Sequence, residues 1–397
     1  MRNILHMDLD TFFVSVERLK DSRLEGKPLI IGGTGDRGVV ASCSYEARLF
    51  GVHAAMPMRL ARRFCPQAIV ISGDFDAYTD YSHTVTEIIQ TDAPVVEKAS
   101  IDEFYVDMTG MERFHGCWTY ARHMRQRVMR ETGLPLSFGL SVNKLVSKVA
   151  TNEAKPNGEL HIPATRITPF LDPLSVRKLP AVGKQTAQQL ISMGVRRVHT
   201  LREIPKPVLQ RAFGKPGLSL YRKARGEDDS PVVPFSERKS ISTETTFPKD
   251  SIDILHLRST ITHMVEKLAF KLRQSGKLTA CITVKIRYAN FETFTRQARL
   301  PFCGQDDVLI AKALELFDRL YEKRVRIRLV GVRFSQLVPG APQLLLFQKQ
   351  ARQIDLYDAL DQIKHRWGHA AVRRASGMGC DGLRTTPPAN RNPSQPF

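Results

Sequence analysis

The sequence predicts an α+β protein with several domains, and three patterns along the chain support that fold class. Strand-like and helix-like segments alternate from Ile4 to Gly158. Short helical segments separated by Pro and Gly follow from Pro169 to Gly226. Beyond residue 240 the predicted order is strand, helix, strand, strand, helix, strand, which describes a compact βαββαβ domain. A chain of 397 residues is long enough for two to four domains.

The first region predicts a mixed catalytic core. Residues 1–10 fit a buried strand, and the residues from Asp10 to Lys20 fit a short amphipathic helix. Further strands are predicted at residues 29–31, 39–42, 95–107 and 136–141, and further helices at residues 118–131 and 143–152.

The later regions predict smaller domains and a linker. The segment from Leu179 to Ala187 joins two helical stretches, and Gly194 fits the end of the second one. Residues 227–240 combine prolines with charges, as linkers do. The strands of the last domain are predicted at residues 240–247, 278–288, 292–300 and 324–334, and its helices at residues 252–273 and 307–321. The end of the chain, from residue 377, has a composition typical of disorder.

The charge pattern favours nucleic-acid binding. The formal net charge is +19, and residues 1–108 carry 11 basic and 16 acidic side chains, whereas residues 109–237 carry 21 and 10. An acidic first part followed by basic regions suggests a cation-binding centre with polyanion-binding surfaces around it. The alternative is a basic protein kept soluble by its charge.

The cysteine pattern and the lack of long apolar runs predict the cellular location of the protein. Six scattered cysteines without a CxxC pair argue against a disulfide framework or a zinc site. We find no long apolar run and no secretory signal, so we expect a cytoplasmic protein with no membrane association.

Two acidic clusters, Asp8-Leu9-Asp10 and Asp102-Glu103, interrupt apolar, strand-like runs. Such carboxylates are costly to desolvate unless they are paired or bound to a cation. If the two strands are neighbours, they form an all-oxygen site suited to Mg²⁺.

One reaction that needs such a site is polynucleotide synthesis, which uses two divalent ions about 4 Å apart. We expect Asp8 and Asp102 to bridge them, Glu103 to complete the primer-side site, and the carbonyl of Leu9 to add an oxygen. Alternatively, Asp8 and Asp10 cap helices and Asp102 lies in a turn; for Asp10 we predict the cap.

A second group of residues fits a triphosphate. Ser42, Tyr45 and Arg48 follow an apolar strand, and a guanidinium can hold phosphate oxygens with a fork of donors. Lys155 can add a point charge to the same anion. The alternative is that these side chains are simply solvated. The segment Gly32–Gly35 lacks the Lys-Ser/Thr ending of a phosphate-binding loop, and we interpret it as a turn.

Four motifs stand in an order that resembles the Y-family of DNA polymerases, most closely the DNA polymerase IV type. They are Met7–Glu17, Ser44–Val52, Ser100–Glu103 and Ala154–Gly158. The similarity extends over residues 1–347. It implies a template-directed DNA polymerase of low fidelity that synthesises DNA past lesions and does not proofread.

The resemblance also implies a right-hand polymerase fold. The palm is ferredoxin-like, the fingers are small, the thumb is a helix-hairpin-helix domain, and the βαββαβ domain is the little finger. The implied boundaries are 1–10 and 74–163 for the palm, 11–73 for the fingers, 164–230 for the thumb, 231–239 for the linker, 240–337 for the little finger, and 338–397 for a C-terminal tail.

The family's functional residues can be carried over to this chain. By resemblance, Asp8, Asp102 and Glu103 bind two Mg²⁺ ions, for which Mn²⁺ can substitute. Phe13 takes the place of the steric gate that excludes a ribose 2′-hydroxyl; the alternative is an ordinary core Phe. The residues implied in nucleotide binding are Phe13, Ser42, Tyr45, Arg48 and Lys155.

Two surfaces are expected to bind the DNA backbone. Residues 179–187 resemble a helix-hairpin-helix, in which Gly183 and Lys184 would contact a phosphate. Alternating basic residues predict a second surface on the little finger, formed by Lys285, Arg287, Arg324, Arg326 and Arg328. The alternatives are a plain helix packing unit and a basic face that serves solubility.

The segment Gln343–Phe347 resembles the peptide that docks bacterial polymerases on a beta-type sliding clamp, through Gln343, Leu344, Leu346 and Phe347. The family often has this peptide at the extreme C-terminus, whereas 50 residues follow it here. The rival interpretation is that the leucines pack on the next helix.

The expected partners are primer-template DNA, deoxynucleoside triphosphates and the clamp, and a monomer is expected. Two other functions were considered: a catalytically silent adaptor that binds DNA and clamp, and another two-metal enzyme such as a cyclase or a nuclease. The presence of all three metal carboxylates disfavours the adaptor. The thumb-like hairpin, the gate aromatic and the basic last domain disfavour the other enzymes.

Overall fold

The computed structural model describes residues 2–113, 116–322, 325–340, 350–368 and 371–380. The chain divides into two compact units, Met1–Ser236 and Glu237–Phe397.

The first unit contains three groups of elements. They include the predicted strands and helices and also elements that were not predicted, such as the long helix Phe75–Asp92. Its strands are β1 (Ile4–Leu9), β2 (Leu29–Gly32), β3 (Val40–Cys43), β4 (Ile69–Ile71), β5 (Val96–Lys98), β6 (Glu103–Asp107), β7 (Leu136–Ser141) and β8 (Glu159–His161). Its helices are α1 (Phe12–Lys20), α2 (Tyr45–Leu49), α3 (Met58–Phe64), α4 (Phe75–Asp92), α5 (Cys117–Thr132), α6 (Lys144–Ala154), α7 (Ile167–Leu171), α8 (Lys184–Ser192), α9 (Val198–Glu203), α10 (Lys206–Phe213) and α11 (Lys215–Ala224).

A five-stranded sheet forms the centre of the first unit, with strand order β5-β6-β1-β7-β8. Strand β1 pairs antiparallel with β6 on one side and with β7 on the other. All six residues of β1 are buried, as the prediction of a buried N-terminal strand required. The residue in the middle of β7 is Gly139, where an added Cβ would lie 2.4 Å from the carbonyl oxygen of Ser147 in α6. Helix α6 therefore packs directly on the sheet at this point.

The alternation of side chains gives β1 two different faces. Leu5, Met7 and Leu9 are buried in the main hydrophobic core, together with residues of α1, α4 and α5. His6 has the opposite orientation, since its Nδ1 lies 2.8 Å from the hydroxyl of Thr151 in α6. Asp8 is on the same side as His6. The strand thus presents its carboxylate on the face covered by α6 rather than in the apolar core.

Two smaller groups complete the first unit. The three-stranded sheet β3-β2-β4 has a core of its own, which includes Ile30, Val40 and Met58. Helices α7 to α11 surround a third core, to which α6 contributes Val146 and Val149. Gly194 follows α8 with φ +82°, the left-handed conformation expected of a residue that ends a helix.

The second unit confirms the predicted βαββαβ order. Its elements are β9 (Ser240–Ser251), α12 (Ile254–Gln274), β10 (Lys277–Tyr288), β11 (Thr293–Cys303), α13 (Asp306–Leu320), β12 (Ile327–Pro339) and α14 (Gln350–Trp367). The sheet is antiparallel with strand order β11-β10-β12-β9. Helices α12 and α13 bury one face of it, against residues such as Ile282, Val284 and Ile286.

Helix α14 is attached to the second unit by polar contacts. Arg273 of α12 donates to both carboxylate oxygens of Asp361 at 2.6 and 2.8 Å, and the hydroxyl of Tyr357 donates to Asp307 at 2.6 Å. The expected C-terminal tail therefore contains a helix that is anchored to α12 and α13. Within the described residues, the structure contains no helix that is both long and apolar enough to cross a membrane.

Candidate active site

The two acidic clusters lie side by side in the central sheet. Asp8 of β1 is directly opposite Glu103 of β6, and the backbone N–H of Leu9 donates to the carbonyl oxygen of Asp102 at 3.0 Å. The pairing of β1 with β6 therefore brings together carboxylates that are 94 or more residues apart in the chain. This is the arrangement on which the prediction of a cation site depended.

Among Asp8, Asp102 and Glu103, Asp8 is the most buried, and its side chain is only 7% exposed. Burial raises the pKa of Asp8 to about 7, and the negative charges of Glu103 and Asp102 act in the same direction. The ammonium group of Lys155 opposes this shift of the pKa, since its Nζ lies 2.5 Å from Asp8 Oδ1. The carboxylate thus lies where a positive charge is strongly favoured.

The other two acidic residues also have partners. Lys148 of α6 places its Nζ 2.5 Å from Glu103 Oε2, and the hydroxyl of Ser100 donates to Asp102 Oδ1 at 2.6 Å. The ammonium groups of Lys148 and Lys155 therefore lie next to the carboxylates of this cluster. Across the described parts of the chain, no three His, Cys, Asp or Glu side chains converge on a metal-binding point in this arrangement.

Asp10 differs from its prediction as a helix cap, which was wrong. Helix α1 begins one residue later, after Thr11, which is left-handed with φ 44° and makes no capping hydrogen bond through its side chain. The carboxylate of Asp10 instead accepts from the hydroxyl of Ser137 at 2.6 Å and from the backbone N–H of Asn157 at 2.7 Å. The hydroxyl of Ser15 in α1 donates to the backbone oxygen of Asp10 at 2.8 Å, while the Asp10 side chain lies among β7 and the loop after α6.

The loop after α6 carries Lys155, and it is tightly held. Arg125 of α5 donates to the backbone oxygen of Asn157 at 2.9 Å and to its side-chain oxygen at 2.6 Å. At Gly158 an added Cβ would lie 2.0 Å from the carbonyl oxygen of Ala154, so only glycine fits there. The position of the Lys155 ammonium group is therefore set by a loop with hydrogen bonds on both sides.

Tyr45 and Arg48 share one face of the short helix α2. Ser44 caps this helix by accepting from the N–H of Ala47 at 3.3 Å. The guanidinium of Arg48 lies 4.8 Å from the centre of the Tyr45 ring, and Arg48 is exposed. Burial raises the pKa of Tyr45 to about 12, with a further contribution from Asp10, whose Oδ1 lies 3.4 Å from the phenol oxygen.

Ser42 lies on β3 opposite Ile31, and it is half-buried. It comes before the helix that carries Tyr45 and Arg48, as the sequence order required. The structure thus brings Tyr45 to the carboxylate of Asp10 and Lys155 to that of Asp8, two residues earlier on the chain. Ser42 and Arg48 lie on the same short strand-helix segment as Tyr45.

Phe13 packs against the main hydrophobic core and also makes contacts with other aromatic rings. Its ring is stacked on that of Tyr78, with centroids 4.3 Å apart and planes 12° from parallel, and Phe75 meets it edge-on at 5.6 Å. The Tyr78 hydroxyl donates to the buried carboxylate of Glu17 at 2.6 Å. Phe13 is half-buried, so part of its ring remains accessible. Sequence reasoning missed Tyr78 and Phe75, because nothing near Phe13 in the chain indicates which part of α4 it contacts.

The turn before α8 has an unusual glycine. Gly183 is the residue at the N-terminus of the helix, with φ −75°, and an added Cβ would meet nothing within 4 Å. Neither backbone conformation nor packing within the chain therefore requires glycine at this position. Lys184 is the first residue of α8 and is exposed.

The basic face of the second unit differs in part from the prediction. The strand begins at Ile327, not at residue 324, so Arg326 is exposed ahead of it, and Arg324 lies outside the described residues. The register skips one residue at Arg328, which is a β-bulge, and its guanidinium lies 4.5 Å from the Phe291 ring. Arg328 therefore does not continue an alternating row along β12, because the bulge interrupts the period of two.

The solvent face of this sheet carries two predicted basic residues and two that were not predicted. Lys285 and Arg287 alternate with buried apolar residues as predicted, and Lys285 pairs with Glu244 at 2.9 Å. The two that were not predicted are Arg333 and Arg299. Thr283 of β10 is opposite Arg333 of β12 on one side and Gln297 of β11 on the other. Arg299 lies two residues beyond Gln297 on β11. Sequence reasoning missed both, because their strands do not show a regular basic alternation.

The segment that contains Gln343, Leu344, Leu346 and Phe347 lies outside the described residues. In α14, Tyr357 is buried, whereas Leu356, Ile363 and Trp367 are exposed. At about 3.6 residues per turn, Leu356, Ile363 and Trp367 lie on one exposed face of α14, whereas Tyr357 is on another side.

Comparisons with known proteins agree with one another along the chain. Residues 7–152 match the impB/mucB/samB family, residues 238–356 match the C-terminal domain of that family, and residues 177–228 match a domain described as the thumb domain of DNA polymerase-iota. The DNA polymerase IV of Dehalococcoides mccartyi is 38% identical over 378 residues, which cover 94% of this chain and 97% of that protein.

Other relatives give the same result. The DNA polymerase IV of Streptococcus pneumoniae is 38% identical over 337 residues, which cover 83% of this chain and 96% of that protein. A solved Y-family DNA polymerase chimera aligns with a TM-score of 0.78 at 26% identity, covering 85% of this chain and 100% of its own.

Proposed function

Because this chain belongs to the Y-family of DNA polymerases and resembles its DNA polymerase IV members over most of its length, we propose that it adds deoxynucleotides to a primer 3′ end as directed by a template. It does so with low fidelity and past damaged bases. The observation that carries this function is the pairing of Asp8 with Glu103, next to Asp102, in the central sheet.

We propose that Asp8, Asp102 and Glu103, with the carbonyl of Leu9, hold two Mg²⁺ ions, which Mn²⁺ can replace. The donor set fits such ions, because it consists of hard oxygens on adjacent strands. When bound, the ions would favour the deprotonated primer hydroxyl and neutralise the triphosphate. The raised pKa of Asp8 and the two ammonium groups beside the carboxylates support a cationic occupant.

The triphosphate would be held by residues of the small sheet and the loop after α6. Arg48 is exposed and can present a fork of donors to phosphate oxygens. Lys155 pairs with Asp8 in the present geometry, and a flexible lysine can transfer its hydrogen bonds to a phosphate while the carboxylate binds a cation. Tyr45 and Ser42 would complete the site with their hydroxyl groups.

We propose that Phe13 selects the sugar. Its accessible ring is stacked on Tyr78, so it cannot move aside to admit a 2′-hydroxyl without breaking this stack.

Two surfaces would bind the DNA backbone without reading its sequence. Gly183 has no side chain, and an added Cβ would meet nothing within 4 Å, so a phosphate could approach the first N–H groups of α8. In the second unit, Lys285, Arg287, Arg326 and Arg328 would add charge on the sheet face and its edge. We propose for the palm, fingers, thumb and little finger the boundaries that the resemblance implies.

The remaining proposals concern partners and location. We propose that residues 343–347 dock on a beta-type sliding clamp, that the enzyme acts as a monomer, and that it works in the cytoplasm. The apolar character of the peptide supports the clamp, because such peptides bind through side chains that enter a pocket.

A primer-extension assay tests the function. The wild type should extend a primed template in the presence of Mg²⁺ and not without it, and Asp102→Ala should abolish extension. Glu87→Ala, which removes an exposed carboxylate on α4, is the matched control and should extend normally. Extension by Asp102→Ala at the wild-type rate would contradict the assignment of the metal site. DNA binding without extension by the wild type would favour a silent adaptor.

A further inference from the structure

Asp10 connects three parts of the chain around the candidate active site. Asp10 is only 1% exposed, and it lies two positions after Asp8. One oxygen, Oδ2, accepts from the hydroxyl of Ser137 on β7 and from the N–H of Asn157 in the loop after α6. The other oxygen, Oδ1, lies 3.4 Å from the phenol oxygen of Tyr45.

Burying a carboxylate costs free energy unless hydrogen-bond donors satisfy it, and the donors of Asp10 come from other parts of the chain. The oxygens of Asp10 are directed at donors from other segments and not at the carboxylates of Asp102 and Glu103, whose own partners are Ser100 and Lys148. The side chain therefore belongs to the framework of the site rather than to the group of cation ligands.

The strongest link runs from Asp10 to the loop that carries Lys155. The hydroxyl of Ser137 donates to Asp10 and accepts from the N–H of Gly158 at 3.2 Å, so two consecutive residues of the loop are tied to the same point. Arg125 holds Asn157 from the other side. Because Asp10 follows β1 directly, these bonds fix the loop relative to the strand that carries Asp8.

We propose that Asp10 is a positioning residue, which holds the Lys155 loop against β1 and so determines where the Lys155 ammonium group meets the nucleotide triphosphate. This inference rests on the proposed polymerase function. It assigns to Asp10 an effect on nucleotide binding that is transmitted through Lys155, and no contact with the ions.

Three variants separate this role from the alternatives. Asp10→Ala removes both acceptors and should raise the KM for the incoming deoxynucleotide on the order of tenfold, with a smaller effect on kcat. Asp10→Asn should restore most of the loss, because its amide oxygen can accept from Ser137 and Asn157 while its amide nitrogen faces the hydroxyl of Tyr45. Ser137→Ala removes only one of the bonds and should raise the KM less than Asp10→Ala.

A double-mutant cycle with Lys155→Ala gives the decisive measurement. If Asp10 acts through Lys155, the KM of Asp10→Ala combined with Lys155→Ala should not exceed that of Lys155→Ala alone. Additive effects would overturn the proposal. Equal loss of extension in Asp10→Asn and Asp10→Ala, at the level of Asp102→Ala, would also overturn it, since a metal ligand would behave in that way.

Two controls keep the result interpretable. Thermal melting of each variant shows whether it is folded, and if Asp10→Ala does not fold, an unchanged KM in a folded Ser137→Ala would overturn the proposal by itself. The failure of the wild type to extend a primer would instead contradict the proposed function, which is thus tested separately in the same assay.

Discussion

The ring of Phe13 is stacked on the ring of Tyr78, with the centroids 4.3 Å apart. This stack holds the Phe13 ring in position. A smaller side chain at residue 13 would leave space for a ribose 2′-hydroxyl. We therefore expect Phe13→Val to raise the ratio of ribonucleotide to deoxynucleotide incorporation on the order of tenfold or more, with deoxynucleotide insertion largely retained. Single-nucleotide insertion kinetics with matched pairs of triphosphates measure this ratio. Unchanged sugar selectivity would remove Phe13 from the role of steric gate.

Tyr78 should affect selectivity through its ring and stability through its hydroxyl. Tyr78→Phe keeps the stack but leaves the buried Glu17 without its 2.6 Å hydrogen bond, so the free energy of unfolding should fall by about 1–3 kcal/mol while sugar selectivity stays the same. Tyr78→Leu removes the stack, and its selectivity should approach that of Phe13→Val. Denaturant unfolding and the insertion assay distinguish the two effects. Equal selectivity of Tyr78→Leu and the wild type would show that the stack does not position Phe13.

The raised pKa of Asp8 predicts how stability changes with pH. Burial raises this pKa from 3.8 to about 7, so between those values the folded protein binds a proton that the unfolded chain has released. The stability of the folded state should therefore fall as the pH rises from about 4 to about 7. This contribution has the opposite sign to that of a surface carboxylate in a salt bridge.

Asp8→Asn tests this prediction in the presence of a chelator. Asparagine has no charge to desolvate, so at pH 8 the variant should be more stable than the wild type, by on the order of 1–3 kcal/mol after allowing for the lost contact with Lys155. The difference should shrink as the pH falls toward 4. Asp76→Asn, at an exposed position on α4, serves as the control. A lower stability of Asp8→Asn at pH 8 would mean that the ion pair with Lys155 outweighs the cost of burial.

Much of this fold could be predicted from local patterns, and the acidic pairing is the clearest case. Carboxylates inside apolar runs at Asp8 and Asp102 indicated strands that bind a cation, and the structure places β1 beside β6. The βαββαβ order was also predictable, because each element has its own hydrophobic period and turn residues. In both cases the relevant information lies within a short stretch of the chain.

The contacts of Asp10 could not be predicted in this way. Its partners Ser137 and Asn157 are 127 and 147 residues away, so no local pattern distinguishes this aspartate from a helix cap. The left-handed turn at Thr11 shifts the start of α1 by one residue, which is within the usual error of a predicted boundary. The bulge at Arg328 is a similar case, since one extra residue moves a side chain out of an alternating row.

The sheet face of the second unit should account for part of the salt dependence of DNA binding. Arg287 and Arg333 are on strands β10 and β12, and both are on the side opposite the helices. If each contacts one phosphate, replacing both with Ala should reduce the slope of log K against log salt concentration by about 2. Arg319→Ala, on the exposed side of α13, should leave the slope unchanged and provides the control. An unaltered slope in the Arg287 and Arg333 variant would show that DNA does not contact this face.

The pair of Arg326 and Arg328 offers a comparison on the same sheet. Arg328 is stacked on Phe291, whereas Arg326 is exposed before the strand begins. If both reach phosphates, replacing them with Ala should also lower the slope by about 2. A smaller reduction than in the Arg287 and Arg333 variant would indicate that the bulge turns Arg328 away from the DNA.

Helix α14 should contribute to the stability of the second unit through Arg273. The guanidinium of Arg273 donates to Asp361 on α14, to Asp306 on α13 and to the carbonyl oxygen of Gly304, and its side chain is only 15% exposed. Asp361→Ala removes one carboxylate from a mostly buried arginine, so the free energy of unfolding should fall by about 1–3 kcal/mol. Asp358→Ala, at an exposed position on the same helix, should change it by less than about 0.5 kcal/mol. Equal stability of the two variants in denaturant unfolding would mean that α14 is not held to the unit by this contact.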